Sequence, residues 1–315
     1  MWDFSIARAI GLMVRTAPFI ALRLVIYFGI TLAYIIATGG GAAIGYGLGH
    51  ISDDPSSYGV FGGLAGFVVV SVAVYWVREY ILYIVKAGHI AVLVKLIEGE
   101  DLPAGQSQID YAKAEVTARF GEANALFALD QIVKAVVGTI TGLLGGVAAI
   151  IPLPGLDGLV RFVNAVIRMA LTYVDELILA YNIRTGTANP WEGARHGLVL
   201  YAQNGKLMLK NALWLTLWLY LLSFLVFLVM LAPMAAIFWI FPGSASFWAI
   251  VAAVVFAWAL KAAVFEPFAI ACLMEVYFAT IKDQVPDPEW DAKLADLSAK
   301  FRDLKDRALA HAHLA

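Results

Sequence analysis

Arg161, Arg168 and Asp175 recur every seven residues, and Asn164, Thr172 and Asn182 fall close to the same line. On an α-helix this spacing draws one narrow polar stripe. Guanidinium, amide and carboxylate groups on one line can pair with one another or guide a polar solute, and Glu176 stands beside them. If 156–183 crosses a bilayer, Arg168 falls near its middle. Insertion scales put a central Arg at about 2.5–3.5 kcal/mol, so it must face protein or water. A second reading lays the same helix on the membrane surface with its stripe wet, and one amphipathic moment fits both.

Lys261 and Glu266 form a second charged position inside an apolar run, next to Pro267. Their spacing of five puts them on different faces of an α-helix, which argues against a direct pair. Glu266-Pro267 is a candidate break that holds an ion or substrate; a structural place near the headgroups is the other reading. Arg161, Asn164, Arg168, Asp175, Glu176, Lys261 and Glu266 are therefore the substrate-path candidates. Trp214, Trp218, Tyr220, Trp239, Trp248 and Trp258 read first as an interfacial belt and second as a cage for an organic cation.

The chain carries no phosphate loop, His-Glu-x-x-His, dinucleotide fingerprint or Gly-x-Ser-x-Gly, so it is not expected to be an enzyme. Cys272 is the single cysteine, which excludes an internal disulfide. His311 and His313 in a terminal tail make a poor metal site, so neither metal nor cofactor is expected. The net charge of −2 gives no reason to expect nucleic acid.

The elements that position these residues follow from composition. The chain has 315 residues, 62% hydrophobic and 15% charged, with mean hydropathy +0.80. Soluble domains carry about 25% charge, so the partner of this surface is lipid. The expected fold is all-α, a polytopic transmembrane bundle with cytoplasmic amphipathic helices. Residues 1–17 read as an interfacial amphipathic helix. Residues 18–99 form a first transmembrane hairpin around the polar loop 51–57. A cytoplasmic helical segment fills 100–131. A second hairpin, or a pair of surface helices, fills 132–183. Residues 184–211 are a cytoplasmic amphipathic segment, with Gly186 stopping one helix and Pro190 starting the next. A third hairpin fills 212–282, turning at Phe241-Pro242-Gly243-Ser244. Six spans are expected, with four as the alternative.

The loops 39–58, 152–157 and 241–246 contain no Lys or Arg. Arg8, Arg15, Lys86, Lys95, Lys113, Arg119, Arg184, Arg195, Lys206, Lys210 and Lys282 all fall on the opposite side. Both termini are then cytoplasmic, and a bacterial inner membrane is the expected location. Arg23 and Arg78 stand near cytoplasmic helix ends, where they can snorkel.

Small residues recur every fourth position at Ala33, Ala37, Gly41, Gly45 and Gly49, and again at Gly138, Gly142 and Gly146. Such ladders favour close helix packing in lipid, with a pore or moving seam as the second reading. Gly39-Gly40-Gly41 is also a place for the first helix to end.

Beyond Pro286-Asp287-Pro288, residues 283–315 form a cytoplasmic heptad helix with its seam on Trp290, Leu294, Leu297, Phe301 and Leu304. That seam is the candidate surface for self-association or a protein partner. Docking on the chain itself is the simpler alternative.

From Ala180-Tyr181 through Ala194, Leu200 and Asn211 to Phe265–Ile281, the last 130 or so residues resemble the choline-transporter-like membrane family. The family's large cysteine-rich extracellular region has no counterpart here. The resemblance implies a polytopic protein associated with organic-cation or lipid-precursor movement, and no functional residue is carried over. Two functions follow as expectations. One is a transporter or permeation protein for a small organic or lipid-like solute. The other is a membrane scaffold or assembly factor recruiting a partner through the tail.

Overall fold

The computed structural model describes residues 2–120, 127–139, 168, 171–239 and 254–312. Every regular element among these residues is helical. In chain order they are α1 (Ile6–Arg15), α2 (Ala17–Gly49), α3 (Pro55–Ile97), α4 (Gln108–Phe120) and α5 (127–139). After a 3-10 turn (Leu171–Tyr173) come α6 (Val174–Thr185), α7 (Pro190–Gln203) and α8 (Gly205–Trp239). Then follow α9 (Val254–Thr280), which contains a π turn at Lys261–Phe265, α10 (Pro288–Leu297) and α11 (Ala299–Ala312).

Four of the described helices are long and apolar enough to cross a membrane: α2, α3, α8 over Gly205–Ala232, and α9. The centre of the expected second hairpin, 140–167 and 169–170, lies outside the described residues. The described flanks differ from the expected boundaries. Helix α5 runs across the 131/132 boundary, and α8 starts at Gly205, before the expected 212.

The chain divides into two compact units. One contains Phe19–Lys86 and Phe227–Ala263. Here the Gly39-Gly40-Gly41 cluster does not end the first helix, and the region expected as the loop 39–58 is mostly helical. Helix α2 continues to Gly49, 33 residues in all. At about 1.5 Å per residue that is about 50 Å, well beyond the roughly 30 Å of a hydrocarbon core. The turn is confined to 50–54, with Asp53 in the left-handed region (φ 54) and Asp54 Oδ1 accepting from Ser57 N at 3.2 Å. Pro55, which needs no donor at a helix start, opens α3.

Glycine holds α2 and α3 together. A Cβ on Gly41 would lie 2.3 Å from the Gly62 carbonyl oxygen, and one on Gly45 would lie 2.1 Å from that of Tyr58. A Cβ on Gly66 would lie 2.0 Å from the Ala37 carbonyl oxygen. The two backbones touch where side chains normally separate them. A Cβ on Gly138 meets nothing within 4 Å among the described residues. The rest of its ladder, Gly142 and Gly146, lies outside the described residues. Arg23 is also corrected. It does not snorkel but is 4% exposed, on one four-residue row with buried Phe19 and Tyr27. The side chain of Arg78 is not described.

The other unit contains Met1–Pro18, Ala87–Val226 and Val264–Ala315. Its centre is α7, against which α6, α10 and α11 pack. Helix α6 ends on Gly186 at φ 64, and Asn189 caps α7 by accepting from Trp191 N and Glu192 N at 3.2 Å. Asn182 Nδ2 donates to Pro190 O at 2.6 Å and so fixes the corner. The Tyr277 hydroxyl of α9 donates to Gly197 O at 2.8 Å.

The tail is two helices, not one heptad helix. Ser298 leaves helical geometry (φ −133, ψ 114). Its hydroxyl then accepts from Phe301 N at 3.3 Å, as an N-cap does. The break turns Leu294, Phe301 and Leu304 into the fold, all buried, while Leu297 remains exposed. Asp291 accepts from Arg195 of α7 at 2.6 Å and from Lys305 of α11 at 2.8 Å. Asn189 Nδ2 donates to Ala308 O at 2.7 Å.

Burial acts to raise the Asp291 pKa, but the hydrogen bonds from Arg195 and Lys305 outweigh it and hold the carboxyl below its ordinary 3.8. A group whose folded pKa is depressed stabilises above its unfolded value and loses that contribution as pH falls through the folded one. Tail docking should therefore be constant at neutral pH and weaken only below about 3.8. Hydrogen exchange of the α11 amides against pH checks this, and Asp291→Asn should abolish the acid step.

Candidate functional site

Two segments bring buried charge together. Helix α5 carries Asp130 and Lys134 one turn apart, and α6 opens with Asp175 and Glu176 in its first turn. Lys134 Nζ lies 2.7 Å from Asp130 and 3.7 Å from Asp175. The Asp130 and Asp175 side chains are 6% and 8% exposed, that of Lys134 38%. Glu176 is buried next to them in sequence. Gln131 Nε2 donates to Asp130 Oδ2 at 3.2 Å. The first turn of a helix favours negative charge, which helps α6 keep two carboxylates at its start.

The geometry explains what each group can do. An ammonium between two buried carboxylates is strongly held only while both are ionised. A cation or polar solute entering there competes for the same oxygens. Among the described residues no three His, Cys, Asp or Glu side chains are grouped to hold a metal ion.

Of the stripe proposed from spacing, Asp175 reaches this cluster. Arg168 is helical and exposed, and Arg161 and Asn164 lie outside the described residues. A 3-10 turn at Leu171–Tyr173 precedes Asp175, at three residues per turn and not the 3.6 on which the stripe was read. Asp130 and Lys134 were missed, although their spacing of four is the ordinary helical pair signal.

The second charged position is rearranged by backbone geometry. Lys261–Phe265 is a π turn directly before Glu266-Pro267. Pro267 cannot donate to the carbonyl four residues back, and its ring crowds that group. Widening the preceding turn relieves both problems. π hydrogen bonds link residues five apart, so this turn is wider than the α-helical one on which the spacing was read.

The glycine hairpin has an apolar groove of about 540 Å³ along its seam, lined by Ile36, Gly40, Ile44, Leu48, Ala65 and Val69. It offers no polar group to chemistry. Of the tail seam, Leu294, Phe301 and Leu304 are covered by the chain itself, and Trp290 is half-buried beneath Lys293, whose Nζ is 5.0 Å from the ring centroid. No protein-family model, curated protein or solved structure matches the chain.

Proposed function

We propose that this integral membrane protein is a non-catalytic permeation protein for a small organic or lipid-like solute, which passes the cluster of Asp130, Lys134 and Asp175. The observation that carries the reading is Lys134 set between two buried carboxylates. Buried ion pairs seldom stabilise more than apolar residues of equal volume, so their retention favours a role in handling charge. The resemblance of the C-terminal third to the choline-transporter-like family supports the same class of solute. The distribution of Lys and Arg supports cytoplasmic termini and an inner-membrane location.

The alternative is a scaffold that recruits a partner through the tail. It is disfavoured by the burial of Leu294, Phe301 and Leu304, which a partner must first release. Purified protein in liposomes separates the two, with choline and a fluorescent lysophospholipid as probes. Asp175→Asn should lower flux about tenfold or more while the protein stays monodisperse. Deletion of 289–315 should leave more flux than Asp175→Asn does. The reverse order moves the function to the tail.

A further inference from the structure

Helix α1 has two apolar faces. One is committed to the protein: Phe4, Ala9 and Leu12 are buried, and α1 packs on α9. Polar contacts fasten it along its length. Asp3 accepts from Lys210 at 2.7 Å and from Asn211 Nδ2 at 2.8 Å. Arg8 lies 3.2 Å from Glu275 and donates to Ile97 O at 2.8 Å. At the far end the Thr16 hydroxyl donates to Leu12 O at 2.8 Å. Its single proton is thus used, so His89 Nε2, 2.8 Å away, must donate to Thr16 and carry the ring proton.

The other face has no such cover among the described residues. Ile6, Ile10 and Val14 follow every fourth residue and are 43%, 52% and 69% exposed. Amphipathic helices that face water put polar residues on that side; α1 puts isoleucine and valine there. Trp2 meets Trp214 and Trp218 edge-on at 6.2 and 6.1 Å, at the N-terminal end of the apolar part of α8. Tryptophan clusters of this kind sit at the headgroup level of membranes. Arg15, half-exposed, ends the helix, and only Thr16 separates it from α2, which is long and apolar enough to cross.

We infer that the Ile6–Ile10–Val14 ridge is a lipid-docking surface, seated in the headgroup–acyl boundary of the bilayer while the opposite face stays fastened to the protein. Its occupant is the bilayer itself. Two observations select it: the continuity of α1 with an apolar crossing helix and the tryptophan cluster at its start. Helix α1 then does not detach and reattach as a free surface helix does. It sets the depth at which α8 and α9 meet the interface.

Spin labels on single cysteines test this in full-length protein, with Cys272→Ala as background, in vesicles of phosphatidylcholine and phosphatidylglycerol. Labels go on Ile10→Cys and Val14→Cys, with Leu221→Cys as an apolar control and Lys300→Cys as an aqueous one. All four native side chains are exposed, so the fold has little reason to change. The expected result is high collision with oxygen and low collision with a water-soluble nickel chelate at both ridge positions, about 5–10 Å below the headgroups. Nickel access equal to that at Lys300→Cys overturns the inference. Shielding from both reagents also overturns it, because it means a protein surface, such as a second copy of the chain, covers the ridge.

Discussion

Replacing Gly62 with leucine should separate α2 from α3 and sharply lower the yield of folded protein. A single Cβ on Gly62 would already lie 2.2 Å from the Gly41 carbonyl oxygen and 3.0 Å from the Gly45 Cα. Those atoms are backbone and cannot rotate aside, so the helices must move apart as a whole. Overpacking a core costs about 1–3 kcal/mol where side chains give way. Here the loss extends over Gly41, Gly45 and Gly66 as well, and a larger penalty is expected. Gly47→Leu is the control: it is exposed on the same helix as Gly41 and Gly45, and its Cβ meets nothing within 4 Å among the described residues, so the yield should hold. Thermal unfolding in detergent reads both. If Gly62→Leu unfolds at the same temperature as the parent, the close backbone contact is not what holds the hairpin.

Removing the Lys134 ammonium should be the second large effect. Lys134→Met leaves Asp130 and Asp175 at 6% and 8% side-chain exposure without the cation between them. Breaking a buried pair on one side costs about 3–5 kcal/mol. The 38% exposure of Lys134 lets water screen part of that, so the lower end applies. Making the neighbour neutral should recover much of it: Lys134→Met with Asp130→Asn should be more stable than Lys134→Met alone. Chemical denaturation of the two variants checks the order. Equal stability would mean that Lys134 and Asp130 are not coupled.

Punctuation by proline, glycine and cap residues was legible in the sequence. Gly186 closes α6, Pro190 opens α7, and Pro286-Asp287-Pro288 separates α9 from the tail. Each acts within a few residues, so a local reading suffices. The misreadings share a different cause. Gly39-Gly40-Gly41 stops a helix in water, where exposed backbone is solvated. Against another glycine face it lets the helix continue, and only the partner sequence around Gly62 decides between these. The seam from Trp290 to Leu304 read as one heptad helix; packing both tail helices on α7 goes with a break between them that Ser298 caps. The π turn at Lys261 depends on Pro267 and on hydrogen bonds that no periodicity displays. Asp175 was found because it stands on a stripe, and Glu176 because it stands beside it. Lys134, the cation between Asp130 and Asp175, comes from a helix about 40 residues earlier, and no pattern within 156–183 points to it.

The central claim is that the charge at position 134 handles a solute. Chemical restoration tests it most directly. Lys134→Cys, in the Cys272→Ala background, is reconstituted and its flux measured before and after reaction with two thiol reagents of similar size. One adds an ethylammonium group and returns the positive charge; the other adds an ethylsulfonate. The account predicts that Lys134→Cys is inactive, that the ammonium reagent restores flux, and that the sulfonate does not. Full flux in unmodified Lys134→Cys, or equal restoration by both reagents, would contradict it.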